Sequence, residues 1–185
     1  ERKSTSIDDI KLFNVDGYSF DNSLSKDSQM KSVTIIRHAE SSWGSTTDFD
    51  RPLNDTGVDE AELMGNILLD REINLDMMIS SPANRAITTA KIIAEQIQFN
   101  NTIKKEQKIY RASSEELLNM IIKLNDNFNS IAFVGHNPTL HALSEHLSNE
   151  QFVNFPTCSI VKVNFGINSW NKIQSGNMEY FLYPK

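Results

Sequence analysis

Four residues in this chain have the types and the placement to act on a phosphoryl group: Arg37, His38, Arg85 and His136. The imidazole of His38 is a competent nucleophile toward phosphorus and is partly neutral near pH 7. Its attack divides a hydrolysis into two steps, phosphoryl transfer to the ring and then transfer to water. A transferring phosphoryl group spreads charge over three oxygens, which the guanidinium forks of Arg37 and Arg85 can bind in pairs. His136 directly precedes Asn137-Pro138 and can donate to an equatorial oxygen as charge develops. Each residue alone has a plainer reading. A histidine at a strand end is usually a hydrogen-bonded structural residue, and an arginine usually makes a surface ion pair. The four together, at three strand-to-helix junctions, are hard to assign to packing.

The elements that must position them are short and alternate in type. Val33 to Ile36 is a β-branched run that fits a buried parallel strand. Asp55 to Asp70 carries a helical stripe of Val58, Ala61, Met64 and Leu68, with Thr56-x-x-Asp59 as a box-like start. Leu75 to Ile79 is a second strand. Ser80-Ser-Pro82 then opens a helix to about Gln98, with proline at its first position. Ile103 to Tyr110 alternates like a strand. Ser113-x-x-Glu116 caps a helix carrying Leu117, Ile121, Leu124 and Phe128. Ile131 to Val134 is a third buried strand. Asn137-Pro138 starts a helix with Leu140, Leu143 and Leu147 inside, and Ser159–Phe165 and Met178–Tyr183 close the chain as strands around a turn at Asn168–Asn171. The alternation predicts an α/β three-layer sandwich, a mostly parallel central sheet flanked by helices. Ligands in such sheets bind beyond the carboxyl ends of the strands, where Arg37-His38, the Ser80–Arg85 segment and Gly135-His136 all stand.

The chain has 185 residues, enough for one domain with a sizeable core. Residues 1–29 are polar and read as an arm or appended segment; residues 30–185 read as the compact domain. The net charge of -6, without a basic stripe, argues against a nucleic-acid partner. Positive charge for a phosphorylated ligand must then be concentrated in a pocket. The single cysteine, Cys158, permits no intrachain disulfide and no cysteine metal cluster, and its apolar surroundings suggest a buried structural thiol. No apolar stretch is long enough to cross a membrane, and Glu1-Arg-Lys-Ser-Thr5 does not look like a signal peptide, so the expectation is a cytoplasmic protein without a membrane partner. His141 and His146, five apart on one helix, do not share a face, so no metal is expected there.

The motifs together resemble the histidine phosphatase superfamily, with its phosphoglycerate mutase-like fold. Arg37-His-Ala-Glu40 with Arg85 and Gly135-His136 carries the resemblance. The segments Arg37–Trp43, Asp48-Phe-Asp-Arg-Pro-Leu-Asn54 with Gly57, Ser80–Ala86 with Thr89-Ala90, Val134–Pro138 and Pro156-Thr-Cys-Ser159 resemble its small phosphohistidine phosphatase branch. They run in the family's order over Lys31 to Lys185. The resemblance implies His38 as the phosphorylated nucleophile, and Arg37, Arg85 and His136 as the rest of a phosphate pocket. It implies a metal-independent hydrolase of phosphoric monoesters or phosphoramidates that needs no cofactor. A polar residue that relatives often carry after the Arg-His pair corresponds here to Gly44.

The general acid is the departure from the family pattern. At the place where many relatives carry Glu or Asp, the alignment puts Ile109 or Tyr110. Asp48, Asp50 and Glu106 are the remaining candidates. An alkoxide needs a proton to leave, whereas imidazole is a much better leaving group. A site without a strong acid therefore favours N–P bonds or activated phosphates over sugar phosphates. The leading expectation is a phosphatase for phosphohistidine-containing protein or another small phosphorylated molecule. The alternatives are a metabolite phosphatase or mutase of the same superfamily, and a non-catalytic phosphate-recognition module. Trp43 is expected either at the pocket mouth or packed inside, and Arg51 is expected to pair with Asp48.

Overall fold

The computed structural model of the chain describes residues 30–44 and 47–185; the expected arm over residues 1–29 lies outside them. Six strands form one sheet: β1 (Lys31–Arg37), β2 (Met77–Ser80), β3 (Lys104–Lys105), β4 (Ser130–Gly135), β5 (Ile160–Phe165) and β6 (Asn177–Leu182). Their order is β3-β2-β4-β1-β5-β6. The first four run parallel, and β5 and β6 add as an antiparallel pair. Four helices join them: α1 (Asp55–Asp70), α2 (Asn84–Gln96), α3 (Ser114–Ile122) and α4 (Thr139–Ser148).

The side-chain alternation of a strand sorts β1 between two cores. Val33 and Ile35 face α3 and α4, with Phe133, Leu117, Ile121, Leu140, Leu143 and Leu147. Ile36 faces α1 and α2, with Met64, Leu68, Ala90, Ile93 and Val134. Both faces of the sheet are covered, as parallel strands require. The three-layer sandwich with a mostly parallel sheet is therefore the observed architecture.

Several local expectations change. Helix α1 has the expected span, but its cap is Asn54, whose side chain accepts from Gly57 N, rather than Thr56. Helix α2 starts two residues later than expected. Ser81 still donates to Val134 O as an extension of β2, so Pro82 lies outside the helix. The alternating Ile103–Tyr110 stretch forms only the two-residue β3. Glu106 then accepts from Lys108 N and starts a 3-10 turn over Gln107–Tyr110, which buries Ile109. The capping box of Ser113 and Glu116 is present, but α3 ends at Ile122, so Leu124 and Phe128 pack from a loop. That loop is held by fully buried Lys31, which donates to Asp126 O, Phe128 O and Asn129 Oδ1. The expected turn near Trp170 holds a short 3-10 helix, and Trp170 itself is fully buried.

Candidate active site

Strands β1, β2 and β4 are neighbours, so the three junctions singled out above meet at one edge of the sheet. His38 follows β1 with its backbone fixed on both sides: its N–H donates to Gly135 O at 3.0 Å, and Cys158 N–H donates to its carbonyl at 3.1 Å. The next residue, Ala39, donates to Thr89 Oγ1, whose hydroxyl donates in turn to Arg85 O. The loop that carries His38 and helix α2 are thereby tied together. Helix α1 also presses on this loop: Asn54 Nδ2 donates to Glu40 Oε1, and a β-carbon placed at Gly57 would overlap the Glu40 carbonyl oxygen.

The ring of His38 is oriented by two partners with fixed roles. Its Nδ1 lies 2.8 Å from Ala39 O, an atom that can only accept, so Nδ1 carries the proton. Its Nε2 lies 3.2 Å from Arg85 Nε, an atom that can only donate, so Nε2 carries the lone pair. The side chain is buried, and burial pushes the imidazole down to about 4; Arg85, Arg37 and Arg51 push the same way, against the Ala39 bond. His38 is therefore a neutral, aimed imidazole at physiological pH.

Arg85 is buried and uses its whole fork. Beyond His38 it donates through Nη1 to Asp48 O at 2.5 Å and through Nη2 to Asp48 Oδ2 at 3.1 Å. Arg37 Nη1 donates to Phe155 O at 2.5 Å, while its buried Nε has no partner among the described residues. His136 stands with its ring 5.1 Å from that of His38 and its Nε2 2.8 Å from Ser81 Oγ; its Nδ1 is buried and has no partner. Burial pushes His136 down to about 3, helped by His38 and Arg85. Buried polar atoms without partners are uncommon. Among the described residues two such atoms, Arg37 Nε and His136 Nδ1, belong to residues beside His38.

A family model described as "Histidine phosphatase superfamily (branch 1)" matches residues 33–109. An uncharacterised Mycobacterium tuberculosis protein, MT1313, is 30% identical over 110 residues, which span 59% of this chain and 67% of that one. The chain belongs to the histidine phosphatase superfamily. A further relative, the Escherichia coli phosphohistidine phosphatase SixA, is 23% identical over 134 residues, 71% of this chain and 83% of that protein. A solved structure from Agrobacterium tumefaciens, a candidate SixA phosphohistidine phosphatase, superposes with a TM-score of 0.73 at 28% identity. It covers 83% of this chain and 98% of that one. The phosphoglycerate mutase-like architecture implied by the motifs is the one observed.

Within this histidine phosphatase the three acid candidates separate. Asp48 reaches the site: Oδ2 accepts from Arg85 and from Tyr110 OH at 2.8 Å, and Oδ1 accepts from Arg51 at 3.0 Å. Those bonds, Tyr110's first among them, hold its carboxyl far below the usual carboxylate range, so it is ionised and a poor proton donor. Asp50 instead accepts from Thr47, and Glu106 caps the 3-10 turn. At the position where the resemblance led to the expectation of an acid, Ile109 is buried and Tyr110 turns its ring edge-on to His136. Gly44 has open space around it, with nothing within 4 Å of a built β-carbon. Trp43 is 84% exposed and stacks on Arg51, with the guanidinium carbon 3.7 Å from the ring centre, so its packing is on the surface. Cys158 is buried as expected. His141 Nε2 donates to Phe152 O and its ring stacks on Phe155, and His146 is exposed.

Sequence reasoning missed two contributors. Glu60, on α1, accepts from Glu40 N and from Thr157 Oγ1 and sends its field to Arg37. Ser81 is the partner of His136. A glutamate inside an amphipathic helix and a serine before a proline carry no local mark of these roles.

The two shifted imidazoles predict a pH signature. Between pH 6.5 and about 4 the unfolded chain binds protons that native His38 refuses, and His136 refuses them further down, to about 3. Stability therefore falls as pH drops through this window and is unaffected by these groups above it. NMR titration of the imidazole Cε1–H signals should show both rings neutral at pH 6, with the urea midpoint declining on acidification. A His38 signal that titrates at its ordinary value would contradict the burial argument.

Proposed function

We infer that this chain is a phosphatase that works through a phosphohistidine on His38, with phosphohistidine-containing protein or another small phosphorylated molecule as substrate. The observation that carries the reading is the fixed tautomer of His38. Its Nδ1–H is held by Ala39 O, and its Nε2 lone pair faces the guanidinium of Arg85. Nε2 attacks phosphorus, the bond to the leaving group breaks, and that group takes the electron pair. Arg85 Nε–H, released from Nε2 as the N–P bond forms, passes to a phosphoryl oxygen. Arg37 Nε and His136 Nδ1, which lack partners among the described residues, supply two further polar contacts. Water then attacks phospho-His38 and returns the imidazole.

The substrate class draws support from three features. Among the described residues none of the three candidate carboxylates is placed to protonate an alkoxide: Asp48 is ionised, and Asp50 and Glu106 are engaged elsewhere. The rim is open, with the Asp48 side chain 53% exposed, which suits a phosphoryl group borne on a protein. The relative SixA is named as a phosphohistidine phosphatase. The catalytic unit of this reading is residues 30–185, with residues 1–29 appended to it. Among the described residues no helix is long and apolar enough to cross a membrane.

Brief mixing with a phosphoryl donor tests the reading. The expected product is a label that is stable to base, labile to acid and located on His38. A label on another residue, or turnover without any label, would overturn it.

A further inference from the structure

Asp48 has more to do than hold Arg85. Arg85 Nε lies 3.2 Å from His38 Nε2, and Arg85 Nη2 lies 3.1 Å from Asp48 Oδ2. One planar guanidinium thus contacts His38 with one nitrogen and Asp48 with another, which places the carboxylate in the immediate surroundings of the His38 ring. A carboxylate offers about four acceptor positions. Arg85 and Tyr110 occupy Oδ2, and Arg51 occupies one position on Oδ1. The remaining position belongs to a side chain that is half exposed, at the edge of a cavity of about 740 Å³ that Tyr110, Lys108 and Arg111 also line.

We propose that the Asp48 carboxylate accepts the ring N–H of an imidazole leaving group, and so makes this site selective for N–P over O–P bonds. The inference rests on the phosphoenzyme reading above. The electron balance shows why the contact matters. His38 Nε2 forms the new N–P bond with its lone pair, and the pair of the old N–P bond returns to the leaving ring nitrogen. A ring without a proton on its distal nitrogen leaves as an imidazolate anion. A ring that arrives protonated there, with a proton taken from water before binding, leaves as neutral imidazole. An anionic acceptor beside the distal nitrogen stabilises the protonated ring. Asp48 need not take the proton, and it remains ionised throughout because Tyr110, Arg51 and Arg85 all donate to it. An alkyl or aryl ester has no N–H to offer and gains nothing from this contact.

The charged and titratable groups around Asp48 are Arg51 on its own loop, Arg85 on α2, Tyr110 on the 3-10 turn, Lys108, Arg111 and Glu116 around the cavity, and His136 through space. Arg51 and Arg85 fix its charge, and with Tyr110 they occupy about three of its four acceptor positions.

The test compares Asp48→Asn with the wild type, on the full chain, using phosphoimidazole and p-nitrophenyl phosphate. Loss of the anchor on Arg85 lowers both rates. The expected selective effect is a fall of about 100-fold in the ratio of kcat/KM for phosphoimidazole to that for p-nitrophenyl phosphate, on the scale of one acid–base contact. In the variant, phosphoimidazole turnover should also decline earlier as pH rises, following loss of the ring proton from free substrate. An unchanged ratio with an unchanged pH profile overturns the proposal and leaves Asp48 as an anchor for Arg85. A wild type that forms no phospho-His38 defeats the parent reading instead, so the two failures are distinguishable.

Discussion

Replacement of His38 by alanine should lower kcat by at least about 10⁴-fold, because it removes the atom that forms the covalent bond. The loss should be confined to chemistry. The loop that carries His38 is held by backbone bonds to Gly135 and Cys158 and by Ala39 to Thr89, none of which uses the imidazole. His38→Ala is therefore expected to retain a urea midpoint close to that of the wild type. It should also still bind an oxyanion such as vanadate, because Arg37, Arg85 and His136 remain. A phosphate-recognition module would behave differently: the wild type itself would turn over no phosphorylated substrate, and the substitution would change only affinity. Parallel measurement of turnover and vanadate inhibition separates the two. Full activity in His38→Ala would remove the basis of the phosphoenzyme reading.

The parts of this site that were legible in the sequence are those fixed by the sheet. A β-branched run followed by Arg37-His38, and an apolar run, Ile131 to Val134, followed by Gly135-His136, announce rigid backbone with polar residues at the carboxyl end of a strand. Strand order then brings them together with Arg85. The span of α1 was legible for a similar reason, since its apolar stripe and its limits agree. What escaped depends on contacts that cross large sequence distances between irregular segments. Asp48 and Tyr110 meet across 62 residues, one from a loop and one from a 3-10 turn that the alternation of Ile103 and Ile109 disguised as a strand. Lys31 precedes the run read as the first strand and carries no local mark of burial, yet it is fully buried because three acceptors from 126–129 converge on its amine. In each case the decisive partner is placed by tertiary packing, which periodicity within one segment does not encode.

Arg85 joins the legible part to the hidden part, and its removal should have the second largest effect. Arg85→Ala deletes the donor facing His38 Nε2 and both bonds to Asp48. The lost charge stabilisation of the phosphoryl group predicts a fall of about 10³-fold in kcat/KM, the upper range for one preorganised donor. Arg85→Lys should recover only part of this, because an ammonium is a point charge and cannot contact His38 and Asp48 with one planar fork. Loop 47–51 should stay in place, since Asn84 still donates to Phe49 O and Asp50 O from the start of α2. A purely structural role for Arg85 would leave the imidazole unchanged. The field argument predicts otherwise: Arg85 helps to hold His38 below its ordinary value, so His38 in Arg85→Ala should take up its proton at a higher pH than in the wild type. NMR titration of the His38 ring reads this directly. A drop in activity with the His38 titration unmoved would show that Arg85 acts on the loop and not on the nucleophile.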